Sequence, residues 1–147
     1  METYKIAHFG TFDASELDPE IIAIYKNDLE ALKKLLGKKI NKIIKIKRKY
    51  IESFTPLEMA LYLNKKDIIK YLFENNASYK GKFHPKPIEI ALRCCDAETV
   101  LMFQNDLEGM DEEKKAELLK TIFWGDNKVG NIEVLESLGV TIAKYGG

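Results

Sequence analysis

Apolar residues recur along the chain in short runs broken by polar turn residues, and their spacing is mostly helical. Ile68, Ile69, Leu72 and Phe73 form one apolar stripe at helical spacing. Glu30-Ala31-Leu32-Lys33-Lys34-Leu35-Leu36 has the same shape. Start signals precede such runs. Thr55 is a good N-cap, Pro56 suits the first helical position, and Glu58 completes a capping box. Asp18-Pro19-Glu20 offers the same cap-then-Pro start, whereas Lys86 stands where the cap before Pro87 is expected. One stretch follows another period. Ile44, Ile46 and Tyr50 alternate with Lys45, Lys47 and Lys49, which predicts a strand and an elongated basic hairpin. Tyr4-Lys5-Ile6-Ala7-His8-Phe9 reads either as a short strand or as an extra cap.

The pattern repeats. Pro56-Leu57-Glu58-Met59-Ala60-Leu61 returns as Pro87-Ile88-Glu89-Ile90-Ala91-Leu92, an offset of 31 residues. Asp67 to Leu72 then lies over Glu98 to Phe103 without a gap. Upstream, Ala23 takes the place of Ala60. Downstream, Thr121-Ile122-Phe123-Trp124 and Asn131 to Gly139 repeat the two halves, with extra residues between them. Each unit reads as two short helices. No unit can bury its stripe alone, whereas stacked neighbours can, which points to a quasi-linear arrangement.

Together, Thr55 to Leu61 and Lys66 to Ala77 resemble the ankyrin repeat, a unit of about 33 residues with a T-P-L-H-x-A signature. Glu58 stands in place of its His, and Asn76 where Gly is common. The resemblance covers units 18–50, 51–81, 82–110 and 111–142, the terminal two being degenerate as capping repeats are. Residues 1–17 form an extension or cap, and 18–147 the repeat domain. The fold this implies is an all-α ankyrin-repeat solenoid of stacked helix-turn-helix units with short β-hairpin fingers. The function it implies is non-catalytic protein binding through the concave face and the fingers. Carried over residue by residue, the helix positions are Tyr25, Lys26, Tyr62, Leu63, Arg93, Cys94, Phe123 and Trp124. The finger positions are Ile51, Glu52 and Phe54, then Lys82, Phe83 and Pro85. Aromatics and Arg93 are residue types that dominate interface hot spots, and packing between helices is the competing use for the same rings.

Composition narrows the function classes. The 147 residues carry 23 basic and 23 acidic side chains, so the formal net charge is zero, and 46% are hydrophobic. That balance excludes a generally basic nucleic-acid binder and a fully disordered chain. No apolar run approaches the ~20 residues of a membrane span, and the first residues hold no apolar signal core. Two adjacent cysteines, Cys94 and Cys95, make no disulfide framework, so the expected compartment is cytoplasmic and reduced. Charge is nonetheless uneven. Lys26 to Lys49 holds ten basic residues against Asp28 and Glu30, while Glu89 to Glu117 holds nine acids against three basic residues. Such runs either keep a surface wet or steer a charged partner, and Lys45 and Lys47 are the candidates for steering.

Several chemistries find no support. With only His8 and His84, the chain lacks zinc-ligand spacing, and no cofactor or metal is expected. Gly125 to Gly130 lacks the Lys-Ser/Thr pair of a phosphate loop. Asp106 to Asp111 misses the spaced ligands of a calcium loop, and Asp111-Glu112-Glu113 reads better as a helix start. The expectation is an adaptor or inhibitor, not an enzyme, that binds another protein, with nucleic acid unlikely as a partner. The abundance of Lys, Ile and Asn is common in AT-rich microbial genomes. A microbial immunity protein that neutralises a toxin is therefore the most specific form of that reading. A host-directed effector scaffold, and an enzyme using His8 or His84, are the alternatives. Partner identity and oligomeric state are left open.

Overall fold

The computed structural model describes residues 2–6, 9–48, 50–78, 87–103 and 113. The chain divides into two compact units, Met1–Lys80 and Gly81–Gly147. Phe83, His84, Phe123, Trp124, His8 and all of the fourth repeat except residue 113 lie outside the described residues.

The first unit opens with a β-hairpin. β1 (Thr3–Ile6) pairs antiparallel with β2 (Gly10–Asp13), with Tyr4 opposite Phe12 and Ile6 opposite Gly10. Tyr4, Ile6 and Phe12 are buried, while Thr3 and Lys5 face out, as the two-residue period of a strand requires. Gly10 has φ +119°, a conformation that side-chain-bearing residues rarely adopt, so glycine suits this reversal. A single 3-10 turn, Ala14–Glu16, follows, capped reciprocally by Asp13 and Glu16.

Two helices come next. α1 (Pro19–Tyr25) places Pro19 in its first turn, and α2 (Leu29–Leu36) is capped by Asp28, whose Oδ1 accepts from the Ala31 N–H at 3.1 Å. The same sequence of elements then recurs. β3 (Ile44–Lys47) pairs antiparallel with β4 (Ile51–Phe54), Ile44 opposite Phe54 and Lys47 opposite Ile51. α3 (Pro56–Leu63) starts in the capping box read from the sequence. The Glu58 N–H donates to Thr55 Oγ1 at 3.2 Å, and the Thr55 N–H to Glu58 Oε1 at 2.8 Å. α4 (Lys66–Glu74) completes the second hairpin-helix-helix set. Equivalent turns close the two sets. The Asp28 N–H donates to the Ala23 carbonyl at 2.8 Å, and the Lys65 N–H to the Ala60 carbonyl at 3.0 Å.

The core of this unit lies where α1 packs on α2 and α3, and α3 on α4. Ile21, Ile24, Leu32, Leu61, Ile68 and Ile69 are fully buried there. Ala23 and Ala60, also buried, occupy matching places in α1 and α3, where a small side chain suits closely packed helices. Ile44 and Ile46 point from β3 into the same core.

In the second unit, α5 (Pro87–Cys94) packs on α6 (Ala97–Val100), which runs into a 3-10 turn, Leu101–Phe103. Ile88, Ile90, Ala91, Leu92 and Cys95 are buried. Asp96 Oδ1 accepts from the Thr99 N–H at 3.2 Å and caps α6.

The all-α ankyrin-repeat solenoid is therefore corrected to a mixed α/β fold, with two two-stranded antiparallel sheets beside the helices among the described residues. The reason is physical. A four-residue strand such as β1 offers only two inward positions, so its period leaves a strand and an extra cap as alternatives. Its identity comes from pairing, which local spacing does not carry.

Candidate protein-binding surface

Three of the helix positions expected to contact a partner, Tyr25, Lys26 and Tyr62, are engaged by the N-terminal segment. The Tyr4 ring meets Tyr25 edge-on, with centroids 5.0 Å apart and an interplanar angle of 88°. The Tyr4 hydroxyl donates to Glu2 Oε2 at 2.6 Å, and Lys26 Nζ lies 3.4 Å from the same oxygen. Phe9 inserts its ring beside Tyr62 (5.0 Å, 87°) and Phe54 (5.1 Å, 85°), and Phe54 meets Tyr62 at 5.9 Å. These edge-to-face pairs stack the hairpin on the ends of α1 and α3 through ring quadrupoles as well as burial. Tyr25, Lys26, Tyr62 and Phe54 thus serve the fold of their own chain, and Leu63 is half-buried.

The local electrostatics follow the contacts. The hydrogen bond from Tyr4, then the charge of Lys26, hold the Glu2 carboxyl below its ordinary range. The same bond raises the Tyr4 hydroxyl, and the Glu2 charge raises Lys26.

The basic finger is partly neutralised within the chain. Leu17 bridges to Ile46 on the side of β3 away from β4. There the Asp18 N–H donates to the Lys45 carbonyl at 3.1 Å, and the Lys45 N–H donates to Asp18 Oδ2 at 2.9 Å. Asp18 was read as a helix cap, yet its side chain makes no cap hydrogen bond to α1. Instead Asp18 Oδ1 pairs with Lys47 Nζ at 2.9 Å. One alternation step to either side, Glu16 pairs with Arg48 Nε at 2.7 Å, and Glu20 with Lys42. Arg48 also donates to the Thr11 carbonyl at 2.6 Å and lies 4.3 Å over the Phe12 ring. The bond from Arg48, and after it the Asp13 N–H, hold Glu16 below its usual pKa, and the same bond raises Arg48. Lys47 is accordingly a paired residue. Lys45 is exposed, and its ammonium has no partner among the described residues.

Compared with known proteins, the chain matches no family model, no curated protein and no solved structure. The ankyrin resemblance therefore rests on the residues that suggested it and nothing else.

Beside its exposed polar residues, the β3–β4 hairpin and the residue before it expose large apolar ones. Ile43, Tyr50 and Ile51 are 53%, 75% and 62% accessible, the three largest values among the exposed large hydrophobics. Sequence reasoning named Ile51 as a finger position but missed Ile43, whose signal is its place one alternation step before Lys45. It also missed the lock formed by Tyr4 and Phe9, which was visible only as aromatic residues in a segment set aside as an extension. In the second unit Arg93 is half-buried, with its Nε buried and lacking a hydrogen-bond partner among the described residues. Cys95 is buried and Cys94 half-buried. Among the described residues, no group of three or more His, Cys, Asp and Glu side chains is placed to hold a metal ion, and no helix is long and apolar enough to cross a membrane.

Proposed function

We propose that this chain is a non-catalytic protein-binding module that engages its partner through the exposed side of the β3–β4 hairpin. The observation that carries this reading is the exposure of Ile43, Tyr50 and Ile51 along one hairpin, with Lys45, which has no counter-ion among the described residues. Large apolar side chains exposed to water lower the free energy by being covered, and these three are spread along one hairpin, from Ile43 before its first pair to Ile51 in its last. Tyrosine adds a rigid ring with a polar tip, a frequent hot-spot element. The partner surface is thereby moved from the helix ends, where Tyr25 and Tyr62 are engaged by Tyr4 and Phe9, to the finger.

A photo-crosslinking residue in place of Tyr50, expressed in the native cell, tests the reading. It is expected to trap one protein at a fixed ratio, and Ile51→Ser is expected to weaken the trapping. A crosslinker at Tyr50 that traps nothing, or trapping indifferent to Ile51→Ser, overturns it.

A further inference from the structure

The hairpin already shows which chemistry it pairs with. Glu16-Leu17-Asp18-Pro19-Glu20 runs beside β3 and sets three alternating carboxylates against three finger cations, Arg48, Lys47 and Lys42. Leu17 supplies the apolar contact and a backbone bridge to Ile46. Leu17 and Asp18, the extended stretch between the 3-10 turn and α1, thus lie in cis along one edge of β3, with the acids Glu16 and Glu20 on either side.

The outward face of the same hairpin has a similar make-up without an occupant among the described residues. Antiparallel pairing puts Lys45 opposite Ser53 and Lys47 opposite Ile51, so these four share one face. Ile43 joins them by alternation, and all five are exposed. The opposite face is the buried one, with Ile44, Ile46 and Phe54. Lys45 on the outward face, and Lys38 and Lys39 in the loop leading to it, are exposed with no counter-ion among the described residues.

From this charge complementarity we infer that the outward face of the β3–β4 hairpin docks an extended acidic segment of a partner protein, in which carboxylates alternate with apolar residues. The carboxylates meet Lys45 and the loop lysines, and the apolar residues cover Ile43 and Ile51. This inference rests on the protein-binding reading above and names the chemistry of its partner.

The test uses the full chain and two fluorescein-labelled peptides. One alternates Glu with Val and Leu, and the other carries Lys at every Glu position. Fluorescence anisotropy is read with each peptide, and with a single-stranded oligonucleotide of matched charge. The Glu peptide is expected to bind, and added salt to weaken it. Lys45→Glu is expected to weaken it by about tenfold, the scale of one close charge pair reversed. Ile43→Ser is a second variant, expected to weaken binding through lost apolar cover. Both residues are exposed, and unchanged thermal melting shows that each variant stays folded.

Equal binding of the Glu and Lys peptides, or of the Glu peptide to wild type and Lys45→Glu, overturns the inference. Tighter binding of the oligonucleotide overturns it in favour of phosphate recognition. If the Tyr50 crosslink still traps its protein while the Glu peptide does not bind, the acidic chemistry is wrong and the binding module stands. If both fail, both readings fall.

Discussion

Asparagine does the work at helix ends that glycine often does. Asn27, Asn64 and Asn76 have φ of 56°, 52° and 61° and lie just after α1, α3 and α4. Gly37, at φ 56°, ends α2. Asparagine tolerates the left-handed region better than other side chains, and this turns each helix into the next segment. Asn64→Ala is expected to lower stability by about 1 kcal/mol in urea unfolding, because alanine lacks the short polar side chain that eases asparagine into that region. Asn64→Gly is expected to be at least as stable as wild type, since it also removes a buried side-chain oxygen that has no hydrogen-bond partner. A second residue-scale expectation concerns Glu20. Its carboxylate is 3% exposed and faces Lys42, which is 43% exposed. Lys42→Ala leaves that charge without its ion pair and is expected to cost about 1–2 kcal/mol, less than a fully buried pair because Lys42 is half in water. Lys45→Ala, at an exposed position whose ammonium has no partner among the described residues, is expected to change stability by less than about 0.5 kcal/mol.

Among the elements, the N-terminal hairpin segment is held to the helix ends by rings and by the Glu2–Lys26 pair, and the turn after it to the end of β3 by the Glu16–Arg48 pair. Both carboxyls sit below their ordinary value of 4.5 in the folded chain, for the hydrogen bonds and charges described above. A depressed carboxyl binds protons more readily when unfolded. The stability it adds is present above the unfolded value and is lost as pH falls through the folded one. Glu2 is exposed and Glu16 half-buried at the surface, so the effect is small and screened by salt. Carboxyl NMR titration of Glu2 and Glu16 is expected to give midpoints below 4.5, and unfolding free energy to fall over the same acid range. Midpoints at or above that value, or a hairpin unchanged by acid, contradict the assignment. The local signals of this element were legible only in part. Tyr4 and Ile6 carried a strand-like alternation, but nothing nearby in the chain said that Tyr4 meets Tyr25 or that Phe9 meets Tyr62.

The whole molecule combines a neutral total with an uneven distribution, and the structure shows where part of the imbalance goes. Three of the cations between Lys42 and Arg48 are matched by Glu16, Asp18 and Glu20, which precede them by some 22 to 32 residues. The ladder is half exposed, so raising salt from about 0.01 M to about 0.5 M, which shortens the screening length severalfold, is expected to lower the melting temperature by a few degrees. In Glu16→Gln/Asp18→Asn the salt response is expected to shrink. If the double variant responds to salt as wild type does, the ladder contributes nothing to stability.

Local chemistry alone determined the helix starts at Pro19, Pro56 and Pro87, the apolar stripes of α2 and α4, and the alternation in β3. These follow from backbone geometry and from neighbours within about four residues. Tertiary structure decided the rest. It brought the N-terminal strands onto the helix ends, gave the side chain of Asp18, the residue at the start of α1, to β3, and left Ile43 and Ile51 in water. Those outcomes depend on which distant groups offer a better contact than water does, and that comparison exists only once the chain has folded.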